Sequence, residues 1–160
     1  MLKQLNIESI LAWKPCYHPS KHLPENWTGT IINLLDNKDI PHGDRIWLAT
    51  KYLPLRDIQE FAIWCARQAF KSKGVEVNKA SRNAIDVAES YLYGNASLDE
   101  LIEAKNAAYV VYANAANAYA AYANAANAAN AAYANAVYAN AATREKQIEY
   151  LKQVCLRGTK

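Results

Sequence analysis

From Leu98 to Leu156 the chain contains neither glycine nor proline, and from Asn106 to Ala142 it contains no charged residue. Alanine, the strongest helix former, dominates this stretch, and nothing in it stops a helix. A single helix over 98–156 would run roughly 80 Å at 1.5 Å per residue. That is long for a protein of 160 residues. The other arrangement is a hairpin reversing near Asn124–Asn130, where Asn-Ala-Ala-Asn-Ala-Ala-Asn has the weakest helical propensity. With no breaker present, one continuous or merely bent helix is the expectation.

The asparagines of this segment are spaced, not scattered. Asn106 and Asn117 stand eleven residues apart, as do Asn124 and Asn135, and eleven residues is close to three helical turns. On one helix these four fall within about 20° of each other, while Tyr112, Tyr119, Tyr122 and Tyr133 lie on the opposite side. An amide stripe and an aromatic stripe on an alanine scaffold are candidate partner-binding surfaces. Tyrosine gives contact area at low entropic cost and amides give hydrogen bonds. Equally, the tyrosines can pack on other helices while alanine allows close approach. An exposed surface of this length without Lys or Glu is poorly soluble, so burial by a second copy, as a homodimer, is expected.

The first half reads as short helices. Ile7–Trp13 is one, ended at Lys14 because the residue before Pro15 is driven out of the α region. Thr28 is the expected N-cap of a second, carrying Ile31, Ile32, Leu34 and Leu35. Asp44 is the expected cap of a third, Arg45–Tyr52. Leu55–Lys73 is amphipathic, with Ile58, Phe61, Ala62, Cys65 and Ala69 on one face, and Gly74 ends it. Lys79–Tyr93 follows, with Gly94 at the position where a left-handed residue closes a helix. Ser97 and Glu100 form a capping box that opens the last helical region. No strand pattern is evident. The expected fold is all-α: a single domain over 1–160, with short helices in 1–97 packed on the long Ala-rich region of 98–156.

Charge and cysteine content narrow the class. The net charge of +3 is too small for a strongly basic nucleic-acid binder. Residues 83–105 hold five acids against one lysine, and the segment after Thr143 is basic. Cys16, Cys65 and Cys155 are odd in number and far apart, which is no disulfide framework and fits a reducing, cytoplasmic setting. The uncharged run is long enough to cross a bilayer, but its eight asparagines would each need a partner in hydrocarbon, so no membrane span is expected.

Catalytic signatures are missing: there is no phosphate-binding glycine loop, nucleophile elbow or HExxH. Cys16, His18 and His22 lie close in sequence, with His42 or Cys65 as further ligands needed for zinc. Their spacing matches no standard finger, and neither metal nor cofactor is expected. Cys65 sits on an apolar face and reads as a small buried hydrophobe. Arg67, if buried, needs a carboxylate, and Asp44, Asp57, Glu60, Asp86 and Glu89 are candidates.

Several elements occur in a telling order. They are Ala12-Trp13-Lys14-Pro15-Cys16, Asp44-Arg45-Ile46-Trp47-Leu48, Phe61-Ala62-Ile63-Trp64-Cys65-Ala66-Arg67 and Val87-Ala88-Glu89-Ser90-Tyr91, followed by the Ala-rich aromatic repeat. Together they resemble the immunity-protein domain of bacterial polymorphic toxin systems and phages. The resemblance implies a cytoplasmic, non-enzymatic protein that binds and neutralises a toxin or defence protein. It implies no catalytic residues. The family repeat mixes Trp, Arg and Asp among its alanines where this chain has Tyr and Asn. The alternative is a phage counter-defence protein that sequesters a nucleotide-like signalling molecule, with Arg45, Arg67 or Arg82 on its phosphate.

Overall fold

The computed structural model describes residues 2–72, 79–109 and 141–157. It is mostly helical. The α-helices are α1 (Ile7–Leu11), α2 (Ile31–Asp36), α3 (His42–Tyr52), α4 (Leu55–Ser72), α5 (Lys79–Leu92), α6 (Leu98–Tyr109) and α7 (Ala141–Arg157), with a 3-10 turn at Pro19–Lys21. Between Tyr109 and Ala141 the expected continuous or hairpinned helix lies outside the described residues.

One strand pairing was not foreseen. β1 (Leu5–Asn6) runs antiparallel to β2 (Thr28–Gly29), with Leu5 opposite Gly29 and Asn6 opposite Thr28. Two residues per strand give too little alternation to read from sequence. The ladder also moves the cap of α2. Thr28 is drawn into β2, and Thr30 is the residue before the helix, its N–H donating to Asn33 Oδ1 at 2.7 Å. Asp44 likewise does not begin α3. The helix starts a turn earlier, at His42 after Pro41, and Asp44 sits in its first turn, accepting from the Tyr17 hydroxyl at 2.5 Å. Proline at the helix entrance supplies a preset φ and lacks only an N–H that would be unpaired there.

The chain divides into two units, residues 1–53 with 140–160, and residues 54–139. In the first, α2, α3 and α7 pack on one another. Ile31, Leu34, Leu35 and Ile46 are fully buried there, as are Ile148, Leu151 and Val154 of α7. Two polar ties accompany this packing. Lys152 lies 2.8 Å from the Asp36 carboxylate, and the His42 Nε2 lies 3.0 Å from the Arg144 carbonyl.

In the second unit, α5 packs on both α4 and α6. Ile63, Ala66, Ile85 and Ala88 form its buried cluster, with Phe70, Leu92 and Leu101 against them, and Ala84 meets Ala104. Small residues at these positions let α5 and α6 approach closely. The expected apolar face of α4 is indeed buried at Ile58, Phe61, Ala62 and Cys65. The side that meets α5, however, carries Ile63, Ala66 and Phe70, about 100° further round the helix.

Candidate functional site

The second unit presents an apolar tip. Arg56, at the start of α4, places its guanidinium 5.6 Å from the ring centre of Tyr93, just past α5. Further along, Arg67 of α4 bonds Asp86 and Glu89 of α5, so the two helices run antiparallel. Leu92 and Leu101 share a cluster, as do Ala84 and Ala104, so α5 and α6 are antiparallel too. The start of α4, the end of α5 and the start of α6 therefore meet at one end. Seven large hydrophobic side chains are exposed among the described residues, and five of them, Leu55, Tyr91, Tyr93, Leu98 and Ile102, belong to this end.

The turn between α5 and α6 is locked from both sides. Gly94 adopts φ +76, a conformation that costs glycine little and other residues more. Around it the Gly94 N–H donates to the Tyr91 carbonyl at 3.0 Å and the Asn95 N–H to the Ser90 carbonyl at 2.7 Å. This pair of bonds is the Schellman closure, which satisfies the last carbonyls of α5. Three residues on, the Ser97 N–H donates to the Glu100 carboxylate at 2.7 Å, and the Glu100 N–H donates to the Ser97 hydroxyl at 3.2 Å. The expected capping box is thus formed. The Ser97 N–H, with its hydroxyl adding to the effect, holds the Glu100 carboxyl below the usual carboxylate range.

Leu98 and Ile102 stand one turn apart on α6, both exposed, while Leu101 and Ala104 face α5. Next to the exposed pair stand Asp99 and Glu103, one turn apart and exposed as well. The glycine closure and the capping box are legible in the sequence; this surface is not. Leu98, Leu101 and Ile102 fit one helical apolar pattern, and only the packing of α5 decides which of them are covered.

The other expected residues are placed as follows. Asn106 is exposed on α6, whereas Asn117, Asn124, Asn135, Tyr112, Tyr119, Tyr122 and Tyr133 lie outside the described residues. Arg45 is buried in the first unit and donates to the Leu35 carbonyl at 3.0 Å, which places its charge against the last turn of α2. Arg67 is engaged by Asp86 and Glu89, two of the carboxylates proposed for it. Burial works against its charge, but the bonds to Glu89 and Asp86 outweigh this and raise its pKa above the ordinary guanidinium value. Arg82 is exposed on α5.

Around the N-terminal loop, Cys16 is exposed, the His18 Nδ1 lies 2.8 Å from the Ser20 hydroxyl, and His22 packs edge-on against Tyr17. Among the described residues no three His, Cys, Asp or Glu side chains are gathered as a metal site would require. No helix among them is long and apolar enough to cross a membrane. No family model, curated protein or solved structure matches this chain.

Proposed function

We propose that this protein is a non-enzymatic immunity or inhibitor protein that binds and neutralises a toxin or defence protein, and that the tip of its second unit is a contact surface. The observation that carries the reading is the set of exposed apolar residues, Tyr91, Tyr93, Leu98 and Ile102 about a turn fixed by a Schellman closure and a capping box, with Leu55 at the start of α4 beside them. Exposed aromatic and aliphatic side chains on a rigid support are what a protein interface uses for its anchors. Because the support is already ordered, binding loses little conformational entropy.

The motifs that resemble the immunity domain fit a scaffold role. Arg67, from the Trp-Cys-Ala-Arg element, is bonded to Glu89, from the Val-Ala-Glu-Ser-Tyr element. Arg45, from the Asp-Arg-Ile-Trp-Leu element, is bonded to the end of α2. With Arg45 and Arg67 so engaged and Arg82 the one exposed arginine of the three, the apolar tip favours a protein partner over a nucleotide phosphate.

Affinity capture of the tagged full chain, co-expressed with its neighbouring genes, tests the reading. A stable protein partner is expected, and a Leu98→Ser/Ile102→Ser variant with unchanged helicity is expected to lose it. Recovery of no partner, or a partner retained by the variant, overturns the proposal.

A further inference from the structure

Resting on that reading, we infer that the tip accepts a basic amphipathic helix of the partner, one with aliphatic residues a turn apart and Lys or Arg residues beside them. The inference comes from two rows on α6. Leu98 and Ile102, 55% and 43% exposed, form an apolar row one turn long. Asp99 and Glu103 form an acidic row of the same pitch, about 100° further round. A helix laid along α6 meets both rows together if its apolar and basic side chains repeat with the same spacing.

Charge selects the sign of the partner. No Lys or Arg occurs between Arg82 and Lys105, while the whole chain carries +3. The acidic row is therefore a negative patch on an otherwise positive molecule. Such a patch directs a basic segment to this end and repels an acidic one. The same rows disfavour a second copy as the occupant. A two-fold dimer brings the same patch of both copies together, and two patches each holding Asp99, Glu100 and Glu103 against the single Lys105 repel on balance. Two cations stand near the rows: Arg56, held over the Tyr93 ring on the α4 side of the tip, and Lys105, one turn past Ile102 on α6, against the acids Asp99, Glu100 and Glu103.

The test uses the full chain and two labelled helices, one of Leu and Lys and one of Leu and Glu, followed by fluorescence anisotropy. Binding of the Leu/Lys helix alone is expected, weakening several-fold as salt shortens the reach of exposed charges from about 10 Å at 0.1 M. Asp99→Lys/Glu103→Lys is expected to reverse the preference, and Leu98→Ser/Ile102→Ser to weaken binding about tenfold or more, each loss of 1.4 kcal/mol being tenfold. Circular dichroism checks that the variants keep their helices.

Equal binding of both helices, or Leu/Lys binding unaffected by the charge reversal, overturns the inference. So does a dimer by light scattering that the Leu98→Ser/Ile102→Ser variant abolishes. A captured natural partner that needs Leu98 and Ile102 but meets them with an acidic surface would remove this inference and leave the proposed function standing. Loss of that partner altogether would remove both.

Discussion

Single residues show how tightly the first unit is specified. Gly29 in β2 turns its Cα toward Trp27: a Cβ there would come 2.7 Å from Trp27 Cζ2 and 3.2 Å from Asn33 Oδ1. The asparagine cannot give way freely, because its Oδ1 accepts from both the N–H and the hydroxyl of Thr30. Gly29→Ala is therefore expected to destabilise the protein by about 1–3 kcal/mol, the usual cost of forcing a side chain into occupied space. Urea denaturation measures it, and an unchanged midpoint would show that the Trp27 ring moves aside without cost. Arg45 and Arg67 make a complementary point. Both are arginines on helices, yet one bonds a helix-end carbonyl in a core and the other a pair of carboxylates nearer the surface. Nothing within either helix distinguishes them, because the partner lies on another element.

Among the elements, α7 depends on a histidine at its far edge. The His42 Nε2 meets the Arg144 carbonyl at 3.0 Å, and its Nδ1 is buried with no hydrogen-bond partner among the described residues. Burial holds the His42 pKa below the ordinary 6.5, the Arg45 and Arg144 charges lowering it further while the Arg144 carbonyl and Glu145 oppose them. Well above 6.5 both folded and unfolded His42 are neutral, and keeping the buried ring uncharged costs the fold nothing. As pH falls through that value the unfolded chain takes the proton first, so stability declines until the folded pKa is reached. The thermal midpoint is thus expected to drop between pH 7.5 and the lower end of this window. His42→Gln should show a smaller drop, and identical slopes for the two proteins would exclude His42 as the cause. Helix ends elsewhere were better foreseen: Gly94 and Ser97 act through bonds within five residues, where sequence alone is informative.

For the whole molecule, the first unit is discontinuous, joining residues 1–53 to residues 140–160. Its buried Ile148, Leu151 and Val154 come from the end of the chain, and each such side chain contributes about 1.5–3 kcal/mol on burial. Together they approach the full stability of a small domain. A chain ending at residue 139 is expected to lose the native packing around Ile31, Leu34, Leu35 and Ile46. Methyl NMR spectra would report this as collapse of their dispersed signals, and retained dispersion would mean that α7 is dispensable.

The predominantly helical class, the extents of α4 and α5 to within a residue, the closure at Gly94 and the capping box of α6 are legible in the amino-acid sequence alone. These follow from local propensity, helical periodicity and bonds between near neighbours. The β1–β2 ladder, the carboxylates that answer Arg67, the joining of α7 to α2 and α3, and the apolar row of α6 that stays uncovered emerge from packing between elements. Each of these is set by a partner distant in sequence, and a helical apolar pattern records that a face is suited to burial without recording what, if anything, buries it.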